Sequence, residues 1–481
     1  MRLHPLSMAC LAALLLGGCA LGPDFQRPTV DTPAAFRAAE GWKLAEHGAP
    51  TLEHNWWERY QDPTLNSLLP QVEVSNQNVI AAQAQYRQAL ALVAGSRAQG
   101  LPELGAGLSA TRSQTVSSTS SSDTAAARSV QRLSLSSSWE IDLWGRISRS
   151  IEASANAAQA SAADLAAARL SAQATLAQSY LQLRVNDAQQ RLFGRTLEAY
   201  QRSLDITRNR HTAGVASQAD VAQAETQLRS TQAQAVDLRI QRAQLEHAIA
   251  VLLGKPPAGF SIEPIDSVPQ LPQIPLSLPS TLLERRPDIA AALRRVAADN
   301  ARIGVAQAAF YPSVTLSASG GFQNASFADL FSLPNRFWSI GPALAQSLFD
   351  GGARRAASDQ ALAAHERSVA GYRQTVLSAF QETEDGLVNL SLLAEEREIQ
   401  SGAVRSANEY LTLTTNQYLA GTVSYLNVAI AQAAALGAER TSLELLNRHL
   451  IASVALIRAL GGGPWEALPD TPPALANAPQ S

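Results

Sequence analysis

The sequence predicts a mixed fold in which transmembrane β-strands, closed into a barrel shared between chains, join long coiled-coil α-helices, with two structural repeats in each chain. Three observations predict it. First, prolines cluster in Pro23 to Pro102, Pro256 to Pro342 and Pro464 to Pro479, whereas Glu103 to Lys255 and Ala343 to Gly463 contain none and are rich in the helix formers Ala, Leu, Gln and Arg. Second, three blocks recur in the same order: Asn78-Val79-Ile80-Ala81-Ala82 leading to Leu101-Pro102 matches Asp288-Ile289-Ala290-Ala291-Ala292 leading to Tyr311-Pro312. Ala213-Gly214-Val215-Ala216-Ser217 matches Ala420-Gly421-Thr422-Val423-Ser424, and Leu252-Leu253-Gly254 matches Ala459-Leu460-Gly461. Third, just after Pro102 and Pro312 the helical spacing gives way to alternation.

The elements follow in chain order. Arg2 and His4, the apolar run Met8 to Leu16 and the small residues Gly17 and Gly18 read as a cleaved signal peptide over residues 1–18. Leu16-Gly17-Gly18-Cys19 has the order of a lipobox, so Cys19 is the expected site of a covalent lipid and the new N-terminus. Cleavage there removes Cys10, leaving no second cysteine for a disulfide or a thiolate metal site within one chain. Ala20 follows the cysteine where an aspartate would signal inner-membrane retention, so the expectation is export to the outer membrane, with its lipids as partners. Residues 19–65 form the lipidated N-terminal segment, 66–254 the first repeat, 255–287 a Pro-rich linker, 288–462 the second repeat and 463–481 a Pro-rich tail.

Each repeat reads as helix, β-hairpin, long helix, turn and helix. The hairpins are expected at about 103–142 and 313–348, from the alternation of Leu104, Ala106, Leu108 and Ala110, of Leu133, Leu135, Ser137, Trp139 and Ile141, and of Val314, Leu316, Ala318, Gly320 and Phe322. The last return strand is placed near Phe337 to Leu348, and the Ser-rich stretch Ser117 to Ser122 reads as an external loop. From Arg146 to Ala213 no proline intervenes, enough for a helix of about 100 Å at ~1.5 Å per residue. Its partner helices carry heptads: Val221, Leu228 and Ala235 with Leu238, Leu245 and Leu252, then Leu436, Leu443, Leu450 and Ile457. Four strands cannot close a barrel alone, so a dimer with eight or a trimer with twelve remains open at this point.

Composition narrows the function. With 38 Lys and Arg against 41 Asp and Glu the chain has no basic excess, which argues against nucleic acid as a partner. The histidines are dispersed, no His-Glu-x-x-His string occurs and no glycine-rich phosphate loop follows a strand, so no catalytic residues, metal site or cofactor beyond the Cys19 lipid are expected. Asp142, Arg146, Asp350, Arg354 and Arg355 fall where strands become helices and either line a lumen or cap and pair helix ends. Trp139, Trp144, Phe337 and Trp338 either form interfacial girdles or pack that junction.

The chain resembles the TolC-like outer-membrane efflux factor family, in its lipoprotein branch associated with resistance-nodulation-division (RND) pumps. The resemblance rests on Cys19-Ala20-Leu21-Gly22-Pro23-Asp24-Phe25-Gln26-Arg27-Pro28, Trp56-Trp57-Glu58-Arg59-Tyr60-Gln61-Asp62-Pro63-Thr64-Leu65, Trp139-Glu140-Ile141-Asp142-Leu143-Trp144-Gly145-Arg146 with its counterpart Leu348-Phe349-Asp350-Gly351-Gly352, and Glu284-Arg285-Arg286-Pro287-Asp288-Ile289. It implies a homotrimer with a twelve-stranded barrel and an α-helical coiled-coil barrel projecting into the periplasm. An equatorial collar would be drawn from Pro28 to Leu65, the 255–287 linker and the tail. It also implies a periplasmic adaptor and an inner-membrane RND pump, the chain itself being a passive exit duct for small molecules and no enzyme. A type I-like polypeptide secretion duct and a purely structural coiled-coil lipoprotein are the alternatives.

Two sites follow from that reading. The turns about 212–219 and 419–426, with Gly214, Ser217, Gly421 and Ser424, are expected to form the tip that meets the adaptor. Tyr410 to Ala438 contains no Asp, Glu, Lys or Arg, unlike the acidic second tip loop frequent in the family. Leu419 and Val423 are therefore expected to form an apolar gate, with Tyr418 and Tyr425 offering hydroxyls to the neighbouring coil. The alternative is closure by Arg208, Arg210 or Asp220 of the first repeat.

Overall fold

The computed structural model describes residues 20–33, 35–37, 55–114, 127–274, 285–463 and 465. Cys19, the leader, the Ser117 to Ser122 stretch and most of the tail lie outside the described residues. A short 3-10 turn, Trp56–Tyr60, precedes α1 (Pro63–Ser75) and α2 (Gln77–Ala98), followed by β1 (Glu103–Gln114), β2 (Ala127–Ile141), α3 (Arg146–Thr212) and α4 (Gln218–Leu252). The second repeat supplies α5 (Pro287–Ala308), β3 (Ser313–Asn324), β4 (Arg336–Ala345), α6 (Ala353–Leu419) and α7 (Tyr425–Ala459). Corresponding helices agree in length: 22 residues in α2 and α5, 67 in α3 and α6, 35 in α4 and α7.

Two local features differ from the sequence reading. Helix α1 forms inside the proline-rich stretch and carries Pro70. It is nucleated by Asp62, whose carboxylate accepts from the Thr64 and Leu65 amides at 2.9 and 3.0 Å, with Pro63 pre-set for the first turn. The last strand ends at Ala345, short of Leu348. There Gln346 turns its amide onto the Phe310 carbonyl at 2.9 Å, and Leu348 and Phe349 stand 93% and 91% exposed on this chain.

The four strands form one antiparallel sheet in the order β1-β2-β3-β4, leaving β1 and β4 as edges. The long helices pair as coils, α3 with α4 and α6 with α7, and the two coils touch through α3 and α7. The heptad positions Val221, Leu228, Leu238, Leu450 and Ile457 are buried, with Ala235, Leu245, Leu252, Leu436 and Leu443 half-buried beside them. No described helix is long and apolar enough to cross a membrane.

Midway along the coils lies the largest core cluster. Trp56, Trp57, Tyr60, Leu65 and Leu69 pack on Leu176, Tyr180, Leu181 and Leu183 of α3, Ile249 of α4 and Leu450, Val454 and Ile457 of α7. The Trp56 ring meets Trp57 and Tyr60 edge-on, at 5.8 and 6.4 Å between centroids. A buried polar network threads this cluster. Tyr180 donates to Asp62 at 2.7 Å, and Arg184 donates to the Tyr180 hydroxyl at 2.7 Å, to Asp187 at 3.3 Å and to the Glu263 carbonyl at 2.8 Å. Arg242 completes it on Asp187 at 2.7 Å and the Ile262 carbonyl at 2.6 Å, which straps the linker to both helices. Arg286 opens the second repeat in the same manner, donating to Asp288 (2.8 Å), Glu382 (2.8 Å) and the Ala459 carbonyl (3.1 Å).

Candidate functional site

The sheet register sorts the strand residues into two faces of opposite chemistry. Paired residues share a face. One face carries the row Leu104, Ser137, Ala318 and Ile340, the row Ala106, Leu135, Gly320 and Trp338, and the row Leu108, Leu133, Phe322 and Arg336. Toward the helices the same face adds Trp139, Leu316 and Pro342, then Ile141, Val314 and Leu344. The other face carries Glu103, Ser138, Ser317 and Gly341, then Gly105, Ser136, Ser319 and Ser339, then Gly107, Ser134, Gly321 and Phe337. From position 133 to 141 the apolar face spans about 26 Å of strand at ~3.3 Å per residue, matching the apolar band of an outer-membrane barrel. The apolar face therefore meets lipid, and the serine-rich face lines the interior.

The junction beneath the sheet is held by capping. Asp142 accepts from the amides of Ile147 (3.0 Å) and Ser148 (2.7 Å), and Asp350 from those of Gly352 (3.0 Å) and Arg354 (3.2 Å). Arg146 forks onto Glu140 at 2.9 and 2.8 Å, and Arg354 pairs with Asp350 at 2.6 Å, which lowers the Asp350 pKa. Asp142, Arg146, Asp350 and Arg354 thus cap and pair helix ends, whereas Arg355 is exposed. Trp139 and Trp144 donate to the carbonyls of Gly100 (3.0 Å) and Pro312 (2.7 Å), and Trp144 stacks on Tyr311 at 4.9 Å, so both pack the junction. Trp338 is 73% exposed on the lipid face, and Phe337 lies on the opposite face under Arg132.

The segment that follows Cys19 is seated on this junction. Leu21 donates to the Trp144 carbonyl at 3.2 Å, Arg149 donates to the Leu21 carbonyl at 3.1 Å, and Asn300 donates to the Pro23 carbonyl at 2.8 Å. Gly145 and Gly304 make the groove: a Cβ on Gly145 would meet the Ala20 Cα at 2.7 Å, and one on Gly304 the Leu21 oxygen at 2.5 Å. Ala20 is thereby fixed at the strand-to-helix level. Sequence reasoning singled out the segment but not Arg149, Asn300 or Gly304, whose role needs contacts more than 120 residues apart.

At the far end, the two turns share one backbone. Gly214 (φ 72°) donates to the His211 carbonyl and Val215 to that of Arg210, both at 2.8 Å. Gly421 (φ 80°) donates to Tyr418 and Thr422 to Gln417, both at 3.0 Å. This is the Schellman closure, which requires the left-handed residue that glycine supplies. Ser217 and Asp220 form a capping box on α4, with the Asp220 amide 3.1 Å from the Ser217 hydroxyl. Ser424 makes no such side-chain cap on α7, and Asn427 stands where Asp220 stands in the first repeat.

The four residues expected at the gate separate in space. Tyr418 and Tyr425 are buried, with rings 5.6 Å apart, in a cluster with Tyr200, Leu204, Val221, Leu228 and Val428. The Tyr418 hydroxyl lies 3.2 Å from that of Thr207 on the other coil, whereas Tyr425 bonds within α7, to Gln432 at 3.5 Å. Burial, with Tyr200 and Tyr418 nearby, pushes the Tyr425 pKa up to about 12. Val423 is half-buried against that cluster, and Leu419 is 52% exposed. Arg210, named only as an alternative, sits 4.7 Å over the Tyr418 ring and reaches the Leu419 carbonyl at 3.4 Å. Gln432 adds a further tie to Ser203 at 2.9 Å. Among the described residues no group of three or more His, Cys, Asp or Glu is arranged to hold a metal.

Comparison with known proteins places this architecture. The sequence model described as outer membrane efflux protein matches residues 68–255 and 278–462, one stretch for each repeat. The chain is 32% identical to the toluene efflux pump outer membrane protein TtgF of Pseudomonas putida over 480 residues, covering 98% of this chain and 99% of that one. It is also 32% identical to the pyoverdine export outer membrane protein OpmQ of Pseudomonas aeruginosa, over 95% of this chain and 96% of that one. Among solved structures, the outer-membrane channel OprN superimposes with a TM-score of 0.87 at 30% identity, covering 92% of this chain and 99% of that one.

Proposed function

This chain belongs to the outer membrane efflux protein family, and from that premise we propose how it works as the trimeric outer-membrane channel of an RND-type efflux system. Small molecules pass through its periplasmic helical tunnel and leave through the barrel, driven by an inner-membrane RND pump that a periplasmic adaptor couples to the tip. The observation that carries the reading is the four-stranded open sheet, apolar on one face and hydroxyl-lined on the other, standing on 67-residue helices. The duct transports without catalysis. Lipid on Cys19 holds its rim at the membrane, a reading supported by the seat of Ala20 on the strand-to-helix junction.

The tip turns containing Gly214, Ser217, Gly421 and Ser424 are the adaptor contact, and Leu419 and Val423 form an apolar constriction there. The exposure of Leu419 supports its place in that constriction, and the packing of Val423 orients the loop behind it. Tyr418 and Tyr425 act from within the coil pair as its support. The purified trimer reconstituted in planar bilayers is expected to give single-channel conductance, raised in Leu419→Ser. Absence of conductance defeats the duct. A leak confined to Asp220→Asn, with Leu419→Ser and Val423→Ser both shut, defeats the apolar gate alone.

A further inference from the structure

The inner face of the sheet is not uniformly neutral. Its middle rows are Ser and Gly, but at the end remote from the helices it carries Arg128 and Arg132, which pair with Ser113 and Ser109 of β1. Both arginines are exposed. The Arg132 guanidinium lies 4.3 Å over the Phe337 ring, and Phe337 belongs to the same inner face through its pairing with Gly321, so the contact fixes the side chain on the lumen side. Arg112 and Arg336 stand at the same end on the opposite face, Arg336 in the row of Leu108, Leu133 and Phe322. They face outward, Arg336 in the outermost row of the apolar band and Arg112 beyond it.

Among the described residues, acidic groups do not offset the inner pair. Glu140 shares the inner face but lies eight positions from Arg132, about 26 Å along the strand, and it is forked to Arg146 at 2.9 and 2.8 Å. Glu103 pairs with Ser138, six positions from Arg132, about 20 Å away. Both separations exceed the roughly 8 Å screening length at physiological salt. Asp329, in the β3 to β4 connection, is the one acidic residue described at that end. Among the described residues, two inner arginines per chain and three chains give six guanidinium groups around the mouth against three carboxylates; Asp123, in the β1 to β2 connection, lies outside the described residues.

We propose that Arg128 and Arg132 form a cationic ring at the outer mouth that makes the exit selective for anions and favours the release of anionic solutes. The proposal rests on the duct reading and adds a sign of charge to its cargo. A guanidinium keeps its charge at any physiological pH, so the field is permanent. Fixed charge of one sign in a low-dielectric wall raises the local concentration of counter-ions and excludes co-ions, which is the ordinary basis of ion selectivity by charged rings. The hydroxyl rows beneath it offer hydrogen bonds to any solute without discriminating by charge.

The test is the reversal potential of purified trimers in planar bilayers under a KCl gradient. The wild-type channel is expected to prefer chloride, and Arg128→Ser/Arg132→Ser to lower the chloride-to-potassium permeability ratio by about threefold. Arg112→Ser/Arg336→Ser, which removes the same charge from the lipid face, should leave the ratio at its wild-type value. Arg132→Gln alone serves where the double variant yields no heat-modifiable trimer, and should move the ratio the same way. The preference should also fade near 1 M KCl, where the screening length is about 3 Å. A wild-type channel that prefers potassium, or lumen and lipid-face variants that change alike, overturns the ring. Loss of all conductance, wild type included, overturns the duct itself.

Discussion

Arg184 is 1% exposed in the middle of a coil, and every polar group around it is committed. Its Nε donates to the hydroxyl of Tyr180, whose own proton goes to Asp62, and its Nη1 serves Asp187 and the Glu263 carbonyl. Removing a guanidinium from such a set leaves Asp187 buried with Arg242 as its remaining cation. Arg184→Ala should therefore cost about 3–5 kcal/mol, read as a fall in the thermal midpoint of the trimer; Arg59→Ala, whose contact is exposed, should cost far less. His449 gives a prediction with a sign. Burial first, and Arg397 at 3.4 Å second, hold its pKa below the ordinary 6.5, so the folded state favours the neutral ring. Its contribution is complete above pH 6.5 and is lost as pH falls through the lowered folded value. Thermal midpoints at pH 7.5 and 5 should show the gap between wild type and His449→Asn shrinking at the lower pH; a constant gap would contradict the assignment.

Elements show where sequence is legible and where it is not. The long helices could be read because absence of proline and a seven-residue apolar period are local properties, and the strands because alternation is one too. The collar was reached only through the family resemblance, because Trp56, Trp57 and Tyr60 follow no period and their burial depends on α3 and α7, far along the chain. The helix expected from residue 66 instead forms as two, α1 and α2, because Asp62, anchored by Tyr180, starts α1 at Pro63 before Pro70 is reached, and Asn76 caps a new start for α2. At the tip, Tyr418 and Tyr425 lie seven apart but across a turn, which breaks the phase that would have told inward from outward. The turn glycines were legible because their φ values of 72° and 80° exclude most side chains. Gly421→Val should cost about 1–3 kcal/mol locally, leave trimers intact and weaken cross-linking to the adaptor. Undiminished cross-linking in both Gly421→Val and Gly214→Val would count against the tip as the docking site.

At the scale of the whole molecule, the two repeats are neighbours of the same kind that chains must be to one another. Within the chain, Trp144 of the first repeat packs on Tyr311 and Pro312 of the second. Leu101 and Pro102 match Tyr311 and Pro312, yet Leu101 is 67% exposed on this chain, and Phe349, just before the second strand-to-helix junction, is 91% exposed. Such apolar side chains, bare on one chain, are expected to be covered where one chain of a trimer meets the next. Phe349→Ala should lower the temperature at which trimers dissociate in detergent, and an unchanged dissociation temperature would place Phe349 elsewhere. The equal lengths of α3 and α6, and of α4 and α7, have a further consequence. Both turns finish at one level only because four separate stretches of chain are matched in two pairs, 67 with 67 and 35 with 35 residues, so the reach of the duct is a metered quantity. A heptad removed from one helix would strand its turn about 10 Å from its counterpart, while one removed from all four would shorten the whole conduit by that amount and leave every seam in phase. Evolution can thus adjust the gap between the two membranes in steps of seven residues, and only by editing four places at once.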